Sequence, residues 1–367
     1  MPLPTDRVVA EINITAVKRN VEFFRNQTAN KKIFAVLKAA CYGHGETLIP
    51  YALEFADGAA VATLEEGLSL RRYNREKPVL ILGFVPIASI HVAIENNLAL
   101  SVFSIEYARA VNAVADKYGA IIDVHVKINT GMNRLGFSPF SNDIFDLLSL
   151  KHLNLDGIYS HYAVSASKNR RAYELQTQKF IDALSLLKNY APFTFVHIAS
   201  TRSANESSVG NAVRIGYGLY GYGRDGLIPA LNLRAAVVQT HTIKKGESVG
   251  YDYAFTAKKT MKIATIAVGY GDGYPRELSD KGKVIHNGVF LPVIGRICMD
   301  MTSIDVKNSD VNVGDYVTLL GSDNGKTITA ENIGFGYETL CRFLRELRKS
   351  LPFSLRRLPR RFPSAVN

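Results

Sequence analysis

Short apolar runs alternate with amphipathic stretches between residue 14 and about residue 216 of this chain. Each run has four to eight residues, the length of a buried strand, and the stretches between the runs have helical spacing. The apolar runs are 32–38, 59–62, 79–83, 98–102, 121–128, 155–161, 193–198 and 211–216, and the helical stretches include 47–55, 64–73, 105–117, 140–150 and 172–188. Strands alternating with helices in this number predict a parallel (β/α)8 barrel of the TIM type.

The pattern changes from Leu231 onward, where apolar and polar positions alternate between Gly, Pro, Asn and Asp residues. Few helical periods occur before residue 330, which is typical of a mainly-β domain. The turn-rich segment 224–232 separates the two patterns. We therefore predict an α/β fold with an N-terminal barrel over 8–228 and a C-terminal mainly-β domain over 229–367. The N-terminal segment 1–13 is a candidate strand of the second domain.

The net charge of +11 on 367 residues does not indicate a nucleic-acid partner. The segment 342–361 alone holds eight Arg and Lys residues against one Glu, which accounts for +7 of the total. The remainder shows no stripe of basic and aromatic residues wide enough for a nucleic-acid groove. The role of this basic segment stays open.

The start of the chain lacks the pattern of a signal peptide, and no apolar stretch has the length needed to cross a bilayer. We therefore expect a cytoplasmic protein without a membrane partner. The three cysteines, Cys41, Cys298 and Cys341, are too few and too widely spaced for a disulfide framework or a zinc site. We expect reduced cysteines and no metal.

Lys38 ends the first apolar run and is followed by Tyr42-Gly43-His44-Gly45. The active site of this type of barrel lies at the carboxyl ends of the strands. Burial there favours the neutral amine of a lysine, which is a nucleophile for carbonyl compounds. The alternative is a lysine that extends from the strand end into solvent.

Polar side chains and glycines also follow the later strands. They are Lys127 and Arg134 around the fifth run, His161 at the end of the sixth, His197 and Thr201 at the seventh, and Arg214, Gly216 and Tyr217 at the eighth. Taken singly, each has a structural alternative: a core histidine, a buried ion pair for the arginine, or a helix cap for the threonine. Together they favour a site, because strand ends converge in a barrel.

The last two barrel loops are a common phosphate site in this fold, and Thr201 with the backbone N–H groups of Gly216 and Tyr217 suits a phosphate. A lysine, a phosphate cradle and an arginine near the ring position suggest pyridoxal phosphate. The second domain adds Tyr270 in VGYGDGY and Met299 in GRICMDM. A tyrosine is able to serve as a second acid/base beside the lysine.

This ordered set of motifs resembles the alanine racemase family, pyridoxal phosphate enzymes built from a barrel and a β domain. The matching pieces are AVLKAACYGHG, KINTGMNRLGF, GIYSHYA, HIAS with Thr201, VRIGYGLYG, VGYGDGY and GRICMDM. The resemblance extends over nearly the whole chain up to about residue 341.

The resemblance implies that Lys38 binds the cofactor covalently and is one acid/base, while Tyr270 from the other subunit of a homodimer is the second. The remaining implied roles are phosphate binding by Tyr42, Thr201, Gly216 and Tyr217, ring contact by His161, contact with the ring hydroxyl region and the substrate by Arg134, contact with the ring nitrogen by Arg214, and contact with the substrate carboxylate by Met299. Because arginine stays protonated, Arg214 cannot supply a proton to the ring nitrogen, so side reactions such as transamination are suppressed.

The sequence departs from the family pattern at several points. Cys41 replaces a usual Asn or Asp, Ser200-Thr201 replaces Asn-Ser, and VSASK replaces an acidic stretch after Ala163. RFLRELRKSLPF stands before SLRRLPRRF, and if SLRRLPRRF is the family's S-x-R-V-P-R segment displaced by this insertion, Leu355 lies where many members have a phosphate-contacting tyrosine. Lys127 matches a lysine that carries a carbamate in some members and positions the neighbouring arginine.

We predict a homodimeric isomerase that interconverts L-alanine and D-alanine by a two-base mechanism and supplies D-alanine for peptidoglycan. The alternatives are a broad-specificity amino-acid racemase, a decarboxylase on the same scaffold, or a non-catalytic pyridoxal phosphate-binding protein. Proteins of the last kind resemble the barrel alone, so Tyr270 and the GRICMDM domain speak against it.

Overall fold

The computed structural model describes residues 6–307, 309–334 and 341. These residues form two compact units, one of residues 17–228 and one of residues 6–16 together with those from 229 onward. The basic segment 342–361 and Leu355 lie outside the described residues. In the part of the chain that is described, no helix has both the length and the apolar character needed to cross a bilayer.

The strands are β1 (Val8–Ile12), β2 (Lys32–Val36), β3 (Gly58–Val61), β4 (Val79–Ile81), β5 (Ala99–Val102), β6 (Ile122–Lys127), β7 (Leu153–Tyr159), β8 (Phe195–Ser200), β9 (Ala212–Ile215), β10 (Leu231–Ile243), β11 (Ser248–Val249), β12 (Phe255–Thr256), β13 (Met261–Ile266), β14 (Lys283–His286), β15 (Val289–Pro292), β16 (Thr302–Asp305), β17 (Tyr316–Asp323) and β18 (Lys326–Ile328).

The helices are α1 (Ile14–Gln27), α2 (Lys38–Tyr42), α3 (Ile49–Phe55), α4 (Leu64–Arg71), α5 (Ile90–Glu95), α6 (Ile105–Lys117), α7 (Asp143–Asp146) and α8 (Arg170–Leu187). Short 3-10 turns cover Glu46–Leu48, Ile87–Ser89, Leu147–Ser149, Tyr217–Tyr220, Tyr251–Tyr253, Tyr270–Asp272, Arg276–Leu278 and Glu331–Ile333.

Strands β2 to β9 form a closed parallel barrel in which each strand pairs with the next along the chain and β9 pairs with β2. The strands read as continuous apolar runs because both faces are covered; β3, β4, β5 and β9 are buried at every position. This confirms the predicted (β/α)8 fold. All eight carboxyl ends lie on one rim, which gathers the residues that follow them.

Side-chain caps fix where several barrel helices begin. Thr63 and Glu66 form a capping box at the start of α4, and Ser104 and Asn169 cap α6 and α8. The helix predicted over 140–150 is shorter than expected. The Ser141 hydroxyl accepts from the N–H of Asp143, and α7 begins there and gives way to a 3-10 turn after four residues.

The second unit is an antiparallel sheet in the order β15-β14-β17-β10-β13-β16, with β1 beside β10 and β18 beside β17. The 13-residue strand β10 is its centre: residues 231–236 pair with β1 and β17, and residues 237–243 pair with β13, with a register shift between Val237 and Gln239. This confirms the predicted mainly-β domain. Strand β1 comes from the other end of the chain, with Val8 opposite Ala235.

Candidate active site

Lys38 is half-buried at the start of α2, where the chain makes a left-handed helical turn. Ala39, Ala40, Cys41 and Tyr42 have φ angles of 53°, 50°, 56° and 56°. Residues with a Cβ atom avoid this region at about 1–2 kcal/mol each, so four in succession are strained. The N–H of Gly43 donates to the carbonyl of Ala39 at 2.9 Å and closes the turn.

Glu66 holds the start of this turn. Its carboxylate accepts from the N–H of Ala39 at 2.6 Å and from the N–H of Ala62 at 2.7 Å. Its other role, in the capping box with Thr63, ties the same carboxylate to α4. Since one side chain links the ends of β2 and β3 with α4, the backbone next to Lys38 has a fixed position. Sequence reasoning missed Glu66, although the T-x-x-E spacing of Thr63 and Glu66 is a recognisable signal.

Tyr42, Gly216 and Thr201 come together at the carboxyl ends of β2, β9 and β8. A Cβ atom on Gly216 would lie 2.3 Å from the Tyr42 hydroxyl oxygen, so any other residue here would displace the Tyr42 side chain. The hydroxyl of Thr201 accepts from the N–H of Gly218 at 3.1 Å, and Tyr217 stacks on Tyr222 with ring centroids 5.1 Å apart. The residues predicted to form the phosphate cradle are therefore neighbours, and the hydroxyl groups face a glycine-lined backbone.

Arg214 is buried in β9 and is held from several sides. Its guanidinium donates to the carbonyls of Ser160, His197 and Ile198 at 2.7, 3.2 and 3.1 Å. It also donates to Nδ1 of His161 at 3.1 Å and to Nδ1 of His197. No carboxylate among residues 6–307, 309–334 and 341 forms an ion pair with it, which argues against a simple buried ion pair.

The charges around the site are mainly positive. Burial, followed by the charge of Arg214, lowers the pKa of His161 to about 3. Burial, followed by the charges of Arg134, Arg214 and Lys38, lowers the pKa of Lys127 to about 8. His161 is therefore neutral at physiological pH, and a cluster of cations surrounds it, as suits an anionic ligand.

The loop after β6 presents Arg134 to solvent. The Asn129 side chain accepts from the N–H groups of Gly131 and Asn133 at 3.1 and 3.0 Å and shapes the first half of the loop. At Gly136, φ is +130° and a Cβ atom would lie 2.6 Å from the backbone nitrogen of Asn129, so only glycine fits. The conformation of this loop follows from these residues, and it keeps the Arg134 charge within range of His161.

Tyr270 and Met299 are neighbours in the second unit. The N–H of Tyr270 donates to the carbonyl of Cys298 at 3.0 Å, and the N–H of Gly271 donates to the carbonyl of Met299 at 2.8 Å. Both side chains are exposed, at 38% for Tyr270 and 54% for Met299. The structure thus brings the two loops VGYGDGY and GRICMDM together, with both side chains exposed.

Asp272 fixes the Tyr270 loop and was also missed by sequence reasoning. The buried carboxylate accepts from the N–H of Gly269 at 3.0 Å and from Arg7 at 3.1 Å. Arg7 donates in addition to the carbonyl of Asp300, so it bridges the two loops. A local signal for Asp272 exists in the glycine-rich turn, whereas nothing in the sequence links Arg7 to a residue 265 positions away.

These groups fit pyridoxal phosphate. The Gly216 cradle, which a Cβ atom would fill, supplies backbone and hydroxyl groups for a phosphate. Arg214 offers a guanidinium to a ring nitrogen, an arrangement known for this cofactor. Lys38 lies close enough to His161 and Lys127 for its charge to lower the pKa of both. The amine, the cation and the cradle are thus all on the carboxyl rim of one barrel.

Comparison with known proteins assigns both parts of the chain. The family model described as "Alanine racemase, N-terminal domain" matches residues 12–224, and the one described as "Alanine racemase, C-terminal domain" matches residues 230–350. A curated relative, alanine racemase 2 of Caldanaerobacter subterraneus subsp. tengcongensis, is 34% identical over 347 residues, which cover 90% of this chain and 89% of the relative.

Solved structures agree. The alanine racemase of Clostridium difficile 630 is 30% identical with a TM-score of 0.82, and the match covers 92% of this chain and 93% of that one. The alanine racemase of Bartonella henselae, solved with covalently bound pyridoxal phosphate, is 26% identical with a TM-score of 0.80 and coverages of 93% and 98%. The resemblance seen in the motifs is confirmed, and the chain belongs to the alanine racemase family.

Proposed function

We propose that this isomerase of the alanine racemase family interconverts L-alanine and D-alanine with pyridoxal phosphate bound in its barrel. The observation that supports the cofactor best is the buried Arg214, whose guanidinium is held by carbonyls and neutral imidazoles at the strand ends where Lys38 begins its turn. The relative from Bartonella henselae binds the same cofactor covalently.

When bound, pyridoxal phosphate withdraws electron density from the substrate α carbon and so acidifies the α proton. The Lys38 amine binds the cofactor and then holds or delivers the α proton on one face. The hydroxyl oxygen of Tyr270 of the partner subunit takes or gives the proton on the other face. Transfer by two groups on opposite faces inverts the α carbon in both directions, as racemisation requires.

Arg214 orients the ring and limits its electron withdrawal. Burial lowers the pKa of its guanidinium to about 10, so it stays protonated near pH 7 and has no lone pair to accept a proton. A permanent donor facing the ring nitrogen cannot transfer its proton at neutral pH. Reactions that need a strongly electron-withdrawing ring are therefore disfavoured, and reprotonation at the α carbon is favoured.

The remaining contacts bind and orient. Tyr42, Thr201 and the backbone at Gly216 and Tyr217 would hold the phosphate, and His161 would lie against the ring. Arg134 would contact the ring hydroxyl region and the substrate, and Met299 of the partner subunit would contact the substrate carboxylate. We place the enzyme in the cytoplasm as a homodimer with shared sites, and its D-alanine serves peptidoglycan synthesis.

An absorbance spectrum combined with borohydride reduction tests cofactor attachment. We expect a visible band in the purified protein and, after reduction and peptide mapping, a label on Lys38. A label on another lysine would contradict the assignment. The same preparation should form D-alanine from L-alanine, and comparison of alanine with other amino acids distinguishes an alanine racemase from a broad-specificity one. Bound cofactor without turnover would favour the non-catalytic alternative.

Tyr270→Phe tests the second base. The variant should bind cofactor as the wild type does and lose nearly all racemisation, because only the hydroxyl is removed. Tyr118→Phe, which removes the hydroxyl of another exposed tyrosine, is the matched control and should remain active. Full activity of Tyr270→Phe would refute the two-base mechanism.

Mixing Lys38→Ala with Tyr270→Phe subunits tests site sharing. Random mixing should restore about a quarter of wild-type activity, since half of the dimers are then heterodimers with one intact site each. Confirmed heterodimers without activity would show that the two residues do not act across the dimer.

A further inference from the structure

A line of buried polar side chains runs from Arg214 through the interior of the barrel. Arg214 donates to Nδ1 of His197, and Nε2 of His197 lies 2.8 Å from Nδ1 of His125. Nε2 of His125 in turn lies 3.7 Å from the carboxylate of Asp156. Asp156 lies midway along β7 and lines a cavity with Val79 and Ala99, the first residues of β4 and β5, so this line extends from the site rim toward the opposite end of the barrel.

The donors and acceptors along this line have one consistent arrangement. A guanidinium only donates, so Nδ1 of His197 must accept, and the His197 proton is on Nε2. That proton is donated to Nδ1 of His125, which places the His125 proton on Nε2, facing Asp156. A donor-only group at one end and an acceptor-only carboxylate at the other therefore specify the tautomer of both imidazoles.

Packing fixes the planes of the two rings. His197 is stacked on Tyr159, with centroids 5.0 Å apart and 8° between the planes, and on Phe34. His125 is stacked on Phe195. A Cβ atom at position 157 would lie 2.5 Å from Nδ1 of His125, so Gly157 makes room for this ring. Gly157 is thus needed for the position of the His125 ring and not for a turn.

We propose that His197, His125 and Asp156 are positioning residues for Arg214, with Asp156 as its remote counter-ion coupled through two imidazoles of fixed tautomer. The inference rests on the proposed function, since Arg214 acts there on the cofactor ring. A carboxylate in direct contact would neutralise the guanidinium beside the ring nitrogen. A remote one stabilises the buried cation and leaves its charge at the site.

The charge states agree with this assignment. Burial holds the pKa of His197 well below its usual range and lowers the pKa of His125, so both imidazoles are neutral near pH 7. The contact with His125 lowers the pKa of Asp156, which is ionised. The other titratable groups that face Arg214 are His161, Tyr159 and Lys127.

The far end of the line reaches a small cavity. It measures about 90 Å3 and is lined by His125, Asp123 and Asp156 among others. This volume holds a few waters, and a water there is able to bridge the 3.7 Å between His125 and Asp156. Asp123 also faces His125, but its carboxylate accepts from Asn154 at 2.7 Å. It is therefore the natural control for Asp156.

Nitrogen-15 NMR of the histidines in apoprotein tests the tautomers without the cofactor. We expect two imidazoles with the proton on Nε2 at pH 7, identified by the nitrogen–nitrogen coupling across their hydrogen bond. Protonation of either ring on both nitrogens, or a proton on Nδ1 of His197, would overturn the proposal.

Asp156→Asn against Asp123→Asn tests the counter-ion. For charges roughly 10 Å apart at an effective dielectric constant of about 20, removing the anion should lower the Arg214 pKa by about one unit. The Cζ titration of Arg214 in carbon-13-arginine apoprotein measures this shift. Asp123→Asn should give a clearly smaller shift, because Asp123 influences His125 less than Asp156 does and makes its own contact with Asn154.

The holoenzyme provides the functional measurement. In Asp156→Asn, the cofactor absorbance and kcat should begin to change at lower pH than in the wild type, with little change in KM. An unshifted Arg214 titration, or an equal shift in Asp123→Asn, would contradict the role of Asp156 as the remote counter-ion of Arg214. A shifted titration with an unaltered cofactor spectrum would overturn its role toward the cofactor. If the wild type does not racemise alanine, the proposed function fails. The apoprotein NMR still tests the histidine tautomers and the coupling of Asp156 to Arg214.

Discussion

Replacing Ala40 by glycine tests the left-handed turn that follows Lys38. Ala40 has φ 50° and ψ 54°, a conformation that a residue with a Cβ atom adopts at about 1–2 kcal/mol. Glycine removes this strain but adds about 0.5–1 kcal/mol of backbone entropy to the cost of folding. It also removes a half-buried methyl group, roughly 0.4 kcal/mol. The net change in the free energy of unfolding should be small and on the stabilising side.

A matched substitution isolates the strain. Ala110 is also half-buried but lies in the right-handed helix α6. Ala110→Gly therefore has the same costs in backbone entropy and in lost methyl burial, but it removes no backbone strain. It should destabilise by about 1 kcal/mol. The difference between the two variants is then the left-handed penalty itself, about 1–2 kcal/mol. For a unit of this size, that difference corresponds to roughly 2–8 °C in Tm.

Differential scanning calorimetry of the apoproteins measures both variants under one set of conditions. We expect Ala40→Gly to melt above Ala110→Gly and close to the wild type. Cofactor titration should show weaker binding by Ala40→Gly, because a glycine loosens the backbone between Lys38 and Tyr42. If both variants lose the same stability, residue 40 does not have a left-handed conformation in solution, and the account of the turn is wrong.

Four further outcomes are expected. Gly216→Ala should weaken cofactor binding much more than it lowers Tm, because the new Cβ atom would lie 2.3 Å from the Tyr42 hydroxyl; cofactor titration measures this, and unchanged affinity would contradict the cradle. Lys127, with its pKa lowered from 10.5 to about 8, should add stability as pH rises from about 8 to 10.5, since the unfolded lysine still binds a proton there. About a tenth of its amine is neutral at pH 7, so carbon-13 bicarbonate should give a carbamate signal that Lys127→Gln lacks; without that signal the residue is unmodified. Asp272→Asn should lower kcat with little effect on cofactor binding, because it loosens the Tyr270 loop, and unaltered kcat would exclude this role.

The barrel could be predicted because its strands are buried on both faces and the helices between them are amphipathic. Both patterns involve residues that are close in sequence, so they can be recognised from the sequence alone. The helix predicted over 140–150 is shorter in the structure, where the Ser141 hydroxyl accepts from the N–H of Asp143 and the helix begins at that residue. Such competition between side chain and backbone is decided by geometry that composition does not report.

In the candidate site too, local patterns predict some residues, whereas features that depend on contacts between distant segments are not predicted. Lys38 and Arg214 could be found because each follows or lies in a recognisable strand. The left-handed turn could not, since it depends on Glu66, which is held by another helix. His125 was passed over because a histidine within an apolar run looks like core, and its role depends on which nitrogen faces which neighbour.

The position of β1 has a consequence for how the chain is made. Its partner β10 begins more than 200 residues later, and Arg7 meets Asp272 across 265 positions. The barrel is one continuous stretch, so it is able to fold while the rest is still being synthesised. Strand β1 stays unpaired until β10 and β17 have been synthesised, because the sheet that it joins does not form before then. Deleting the first dozen residues should therefore spare the barrel and leave the loop that carries Tyr270 without its anchor.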